Sequence, residues 1–265
     1  MPGTISALAI QTRHEGDMGL IAAGTWTRRL GLYDLQRKGE CVATWSVEEG
    51  AGGIGEGNGI MQTVWSPCGR YLIANERRAT GLMVYDVRNT GGLLACLTGR
   101  KGSTSQRLSC DVYESSAGGG FEVWSGTADG DVVVWEGVGN QEGQVKPSWG
   151  REVHQSAVVG TAMHMSGSVV ATCSGSWRFP DFEDSESDSD EEDSSDSSED
   201  SSCSEDSSSS GDSGSEASVP RLTSRAPRSP LVVEETSLKV WNIRTGGGGS
   251  PELERPSMAD EQAKA

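Results

Sequence analysis

Apolar residues in this chain come in short runs, many alternating with polar residues, and glycine-rich turns separate the runs. Alternation over four to eight residues marks half-buried strands, and sustained helical spacing of apolar residues is weak everywhere. The pattern predicts strands in groups. First strands fall at 5–10, 60–65, 108–113 and 158–164, and second strands at 20–23, 71–74, 121–124 and 169–173. Third strands fall at 30–34, 82–86, 132–136 and 238–242, and fourth strands at 41–45, 93–97 and 145–149. No fourth strand is expected after Trp241, because a run of four glycines leads into a polar tail.

The third strands repeat one phrase, an apolar run closing on an aromatic and then an acidic or amide residue. The copies are Leu30-Gly31-Leu32-Tyr33-Asp34, Leu82-Met83-Val84-Tyr85-Asp86, Val132-Val133-Val134-Trp135-Glu136 and Leu238-Lys239-Val240-Trp241-Asn242. From Asp34 to Asp86 is 52 residues and from Asp86 to Glu136 is 50, while the last gap, 106, holds a Ser/Asp/Glu tract. A period near 50 with this close is the mark of propeller blades. The fold class expected is therefore all-β, a WD40-type β-propeller with four repeats and an acidic insert. Blades are expected over 1–180, the insert over 181–230, a last propeller strand over 231–244 and a disordered tail over 245–265. A propeller is usually a scaffold, so function is sought on its loops.

Charge sharpens this division. The formal net charge is −17, but residues 181–216 hold 16 acidic residues and no Lys or Arg. Without them the chain has 23 acids against 22 bases. The acidity belongs to the insert, whose composition cannot bury enough apolar surface to fold. Ser185, Ser187 and Ser189 each have an acidic residue three positions later, which marks them as phosphorylation candidates for an acid-directed kinase. The alternative for this segment is an inert solvated loop.

Other features exclude function classes. None of the six cysteines forms a Cys-x-x-Cys pair or stands at zinc-ligand spacing to a histidine, so they read as small buried strand residues plus one exposed thiol, Cys203. The start lacks a basic region and an apolar leader core, no apolar run reaches membrane-helix length, and no Asn-x-Ser/Thr site occurs. These features point to a reducing, intracellular setting without membrane contact. Gly50-Ala51-Gly52-Gly53-Ile54-Gly55 matches a dinucleotide-binding spacing, but a strand follows it where that chemistry needs a helix N-terminus. His14, His154 and His164 are scattered over loops and one strand end, without a hydrolase elbow, metalloprotease helix or phosphate loop. The expectation is a non-enzymatic protein with no catalytic residue, metal, cofactor or small-molecule substrate.

The basic residues are grouped. Arg28-Arg29 and Arg77-Arg78 lie between second and third strands; Arg100-Lys101 and Arg107 lie between a fourth strand and the next first strand. In a blade these two loop types open on one face, where Arg178 also falls. That face is expected to contact RNA phosphate or a partner. The alternative is scattered solvated charge. Trp26 or Trp177, if exposed, would serve as an aromatic platform, but core packing is the role expected of the tryptophans, these two included. The acidic insert, tethered on the same face, is expected to compete there for phosphate.

Several stretches carry a family resemblance. They are Gly3-Thr4-Ile5-Ser6, Gly24-Thr25-Trp26 running into Leu30-Gly31-Leu32-Tyr33, Tyr85-Asp86-Val87-Arg88, Ser105-Gln106-Arg107, Gly126-Thr127-Ala128-Asp129-Gly130, and Ala171-Thr172-Cys173-Ser174-Gly175 with Arg178-Phe179-Pro180. On these the chain resembles the telomerase Cajal body protein family (the WD-repeat proteins antisense to p53) and its fungal relatives. The resemblance implies a seven-bladed ring of which this chain holds the last four blades, as a fragment or truncated gene product. It implies a scaffold that binds small nuclear or telomerase-type RNA and RNP proteins, with a nuclear, Cajal-body location. The alternative function is a protein–protein adaptor, such as an snRNP-associated propeller, without RNA contact.

Overall fold

The computed structural model describes residues 2–12, 18–47, 57–114, 119–175, 235–244 and 251–255. All described regular structure is β, in four consecutive antiparallel meanders, the blades of a propeller. Blade 1 is β1 (Ile5–Thr12), β2 (Met18–Thr25), β3 (Arg29–Asp34) and β4 (Glu40–Ser46). Blade 2 is β5 (Ile60–Trp65), β6 (Tyr71–Glu76), β7 (Leu82–Asp86) and β8 (Leu93–Leu97). Blade 3 is β9 (Cys110–Glu114), β10 (Phe121–Gly126), β11 (Asp131–Val138) and β13 (Trp149–Glu152). Blade 4 is β14 (Val158–Met163), β15 (Val169–Gly175), β16 (Thr236–Arg244) and β17 (Glu252–Glu254).

Two connections differ from the sequence reading. The stretch expected as the fourth strand of blade 3 splits. β12 (Gly143–Val145) leaves to pair in parallel with β8, which makes blade 2 five-stranded, and β13 closes blade 3 instead. Pro147 separates the two pieces, and proline cannot donate to a ladder. A fourth strand also exists in blade 4, where β17 pairs Asn242 with Glu254 and Ile243 with Leu253, inside the stretch expected as disordered tail. Leu253 is its one residue packed on the core. A three-residue strand with one apolar anchor carries almost no sequence signal.

The blades pack face to face through three apolar layers. Ala7, Leu30, Leu32 and Trp45 of blade 1 meet Leu72, Met83 and Tyr85 of blade 2. Ile73 and Val84 of blade 2 meet Phe121, Val123 and Trp135 of blade 3. Trp124, Val132 and Val134 of blade 3 meet Val170 and Trp241 of blade 4. A strand between two such layers is buried on both sides, as β6 is throughout. The inner strands β1, β5, β9 and β14 are successive neighbours.

The inner strands share a local defect. The register with the second strand slips by one residue between Ile5 and Ala7, between Ile60 and Gln62, and between Val158 and Gly160. The extra residues are Ser6, Met61 and Val159. A bulge bends its strand and re-aims the extra side chain. Here it does so at the same end of three blades.

The insert enters after β15 and leaves before β16. Its two roots are paired, Gly175 opposite Thr236, and the Gly175 carbonyl accepts a hydrogen bond of 2.8 Å from Gln106 Nε2. The long segment is thus a hairpin connection of blade 4. Ser185, Ser187 and Ser189 lie outside the described residues, as do Arg178, Trp177, His14, Cys203 and the Gly50–Gly55 loop.

Candidate functional site

The bulged ends of the inner strands open on a cavity of about 230 Å3 lined by Ser6, Trp26, Met61, Arg77 and Arg107. Three blades contribute. Trp26 starts the turn from β2 to β3, and its amide is held by the Thr4 carbonyl at 3.1 Å. Arg77 sits in the turn after β6, with its amide on the Gly59 carbonyl at 3.0 Å. Arg107 lies in the loop before β9. Ser6 and Met61 are the bulge residues of blades 1 and 2. Met61 is buried against Leu108 and Ala157, with Val159 packed on the same cluster, and so provides an apolar floor. The Ser6 hydroxyl donates to the Ile60 carbonyl at 2.5 Å and ties blade 1 to blade 2 beneath the opening.

Trp26 is 45% exposed, although tryptophan is usually well buried. Its ring is positioned from two sides. The Arg77 guanidinium stands 5.7 Å from the ring centroid, and Gly59 lies against the ring. Gly59 has φ of +85°, and a Cβ there would come within 2.5 Å of Trp26 Cε3, so both its backbone and its neighbour require glycine. Arg77 Nε donates to the Ser105 carbonyl at 2.9 Å, and its Nη2 donates to the same oxygen. Arg107 is exposed, and among the described residues it makes no hydrogen bond or ion pair. Among the described residues, the lining contains two guanidiniums and no carboxylate.

The predicted basic face is therefore much reduced. Arg28 makes a two-pronged ion pair with Glu76, Nε to Oε1 at 2.8 Å and Nη2 to Oε2 at 3.0 Å, with the carboxylate 1% exposed. Lys101 pairs with Asp129 at 2.7 Å, and that carboxylate raises the ammonium's proton affinity. Arg29 begins β3 and is half-buried. Arg100 corrects the expectation of a surface cation, being 2% exposed. It donates to Asn75 Oδ1 at 2.7 Å and to the Leu108 carbonyl at 3.1 Å. Burial lowers its pKa to about 10. It joins blade 2 to the loop that leads into blade 3. Arg78 is exposed, in a left-handed turn conformation shared with Arg28 at the matching point of blade 1. Of the eight cations, the structure brings Arg77 and Arg107 together with Trp26. Arg178 is outside the described residues.

A carboxylate–imidazole–hydroxyl chain also exists in blade 4, which the scattered histidines of the sequence did not reveal. The Trp241 indole N–H donates to Thr172 Oγ1 at 2.9 Å. The Thr172 hydroxyl lies 2.8 Å from His154 Nε2, and His154 Nδ1 lies 3.0 Å from Glu235 Oε1, so one ring joins the buried hydroxyl to the carboxylate. The Lys239 ammonium, then the Ser237 hydroxyl and the Gln155 amide, hold the Glu235 carboxyl well below the usual carboxylate range. Thr172 is wholly buried, so no substrate can reach its hydroxyl. The chain locks the paired roots of the insert to the loop before β14.

The cysteine reading also needs correction. Cys96 and Cys110 are buried, but Cys41 and Cys68 are exposed, and no disulfide joins the described cysteines. Burial pushes the Cys110 thiol up to about 12.

No family model matches this chain. Over 96 residues it is 28% identical to the guanine nucleotide-binding protein negative regulator 1 of Schizosaccharomyces pombe. The match covers 36% of this chain and 22% of that protein, so the chain aligns with about a fifth of that relative's length. Taken with the four blades, this supports a WD-repeat-like family at most, and it does not support the telomerase Cajal body family.

Proposed function

We propose that this chain is a non-enzymatic interaction scaffold whose working surface is the Trp26–Arg77–Arg107 opening, and that its partner is a protein. One observation carries this reading: an exposed tryptophan and two arginines from three blades converge over an apolar floor. Tryptophan and arginine are the side chains most enriched at the energetic centres of protein interfaces. The similarity to a protein named as a negative regulator of a guanine nucleotide-binding protein agrees with a scaffold acting through protein contacts.

RNA binding is the second reading, favoured by the same tryptophan beside cations, since a base can stack on an indole while arginine meets phosphate. Small nuclear or telomerase-type RNA, RNP proteins and a nuclear, Cajal-body setting belong to this reading. It is weakened by the loss of a continuous basic track, because Arg28, Lys101 and Arg100 are paired or buried and phosphate binding scales with the number of contacts.

The test is isolation of the tagged chain from cells against a Trp26→Ala/Arg107→Glu variant, with quantitative mass spectrometry before and after ribonuclease. The expected result is a set of proteins lost with the variant and retained after ribonuclease. Partners that the variant keeps would overturn the assignment of the site, and partners that ribonuclease removes would transfer it to RNA.

A further inference from the structure

The proposal that this opening is an interaction surface leaves the chemistry of its ligand open, and the lining itself narrows that chemistry. Four facts bear on it. Among the described residues, the opening holds two guanidiniums and no carboxylate. Arg107 is exposed and, among the described residues, without a hydrogen bond or ion pair. Arg77 is anchored by Nε and Nη2 on the Ser105 carbonyl, so its direction is fixed and Nη1 remains to donate. The Ser6 hydroxyl donates to the Ile60 carbonyl, so the two guanidiniums are the charged donors among the described lining residues.

We propose that the opening captures a single anionic side chain, a carboxylate or a phosphate, presented by an extended segment of a partner protein. This rests on the interaction-scaffold reading above. Size decides against larger ligands: about 230 Å3 lies below the range of roughly 300–1,000 Å3 for pockets that enclose a cofactor or drug-sized molecule. It suits one side chain and its stem. The anion sits against Arg107 and the open edge of Arg77, because a guanidinium presents paired donors that match carboxylate and phosphate oxygens. The methylene stem lies on Trp26 and the Met61 floor. The construction explains the bulges, because the shift at Met61 brings an apolar floor to a place where a regular strand would continue its ladder. It also explains why Arg77 is held by a backbone carbonyl instead of a carboxylate, which leaves its charge uncompensated.

The probes are fluorescein-labelled ten-residue peptides with randomised flanks and a fixed central residue, either phosphoserine, glutamate or alanine. A ten-nucleotide oligouridine and inorganic phosphate complete the set. The full chain is titrated by fluorescence polarisation at low and moderate salt. At least one anionic peptide pool should bind ten-fold or more tighter than the alanine pool, and inorganic phosphate should compete. Tighter binding of the phosphoserine pool assigns the site to phosphate, and equal binding assigns it to either anion. Arg107→Ala should abolish the preference without changing the melting temperature, and Arg107→Lys should restore it only in part, because the charge returns without the fork. An alanine pool that binds as well as the anionic pools overturns the proposal, as does an Arg107→Ala chain that keeps the preference. So does an oligouridine that binds tighter than every peptide and loses that affinity with Arg107→Ala. If the anionic preference is absent while Trp26→Ala/Arg107→Glu still loses its cellular partners, the interaction surface stands and only the anionic class falls.

Discussion

The Arg77 guanidinium stands 5.7 Å from the centre of the Trp26 ring, so a turn of blade 2 reaches over a turn of blade 1 at the mouth of the site. Arg77 thus has two roles, as a strut between blades and as a cation at the opening. Arg107 has only the second. The two should separate in experiment. Arg77→Ala should cost about 1 kcal/mol of stability through the lost ring contact and the unpaired Ser105 carbonyl. Arg107→Ala should leave the thermal midpoint within error, as surface changes usually do. Equal destabilisation by both would remove the distinction.

Glu76 and Arg28 make the tighter link between the same two blades, with the carboxylate almost wholly buried. Removing the buried carboxylate takes from Arg28 the two hydrogen bonds that join the blades. Glu76→Ala is expected to destabilise the chain by roughly 3 kcal/mol, while the Arg28→Met/Glu76→Leu double variant recovers much of that loss. Denaturant melts of the three variants give the cycle. A double variant as unstable as the single would mean that the pair itself, and not the charge left behind, carries the energy.

Arg100 is predicted to matter for stability and not for ligand. Arg100→Ala strips Asn75 Oδ1 of its buried donor and leaves the Leu108 carbonyl with the Asn75 amide alone, and a buried group left unsatisfied costs about 1–3 kcal/mol. Affinity of the folded variant for an anionic peptide, measured below its melting temperature, should stay within two-fold of the parent. Loss of affinity without loss of stability would put Arg100 back among the surface cations.

Acid should loosen blade 4 through Glu235. Its folded carboxyl is held below the ordinary value of 4.5 by Lys239, Ser237 and the Gln155 amide. A depressed carboxylate contributes stability that is fully present above the unfolded value. That stability is lost as pH falls below it, toward the folded value. The stability gap between the parent chain and Glu235→Gln should therefore be constant above about pH 5.5 and shrink at lower pH, in thermal melts from pH 7 to pH 3. A gap that stays constant down to pH 3 would show that the carboxylate charge does not hold the lock.

Two outer blade faces expose apolar side chains. Leu8 is 65% and Ile10 62% exposed on blade 1, and Leu238 is 73% exposed on blade 4. Contiguous exposed apolar surface drives association. The isolated chain should self-associate with rising concentration, and Leu8→Glu with Leu238→Glu should reduce it, as read by light scattering after size exclusion. A monomer at all concentrations would mean that these faces are tolerated in water.

The sequence by itself determined the blades. Alternating apolar residues, tight turns and the repeated third-strand phrase set fourteen of the strands near their observed places, because each blade's strand order is a local matter of period and turn chemistry. Sequence also marked the arginine-bearing loops, but it favoured core packing for Trp26, which is 45% exposed. It could not tell which cations remain exposed. Arg28 and Arg29 are neighbours in the chain, yet one is clamped by a carboxylate 48 positions away, and Arg100 disappears between Asn75 and Leu108 while Lys101 beside it stays in water. Those fates depend on which blade packs against which. The bulges at Ser6 and Met61 were equally hidden, since a one-residue slip in register leaves no mark in an apolar pattern that reads only alternation. Only the stacked blades could bring a turn, a bulge and a loop from three repeats to one opening, because no two of those segments are close in the chain.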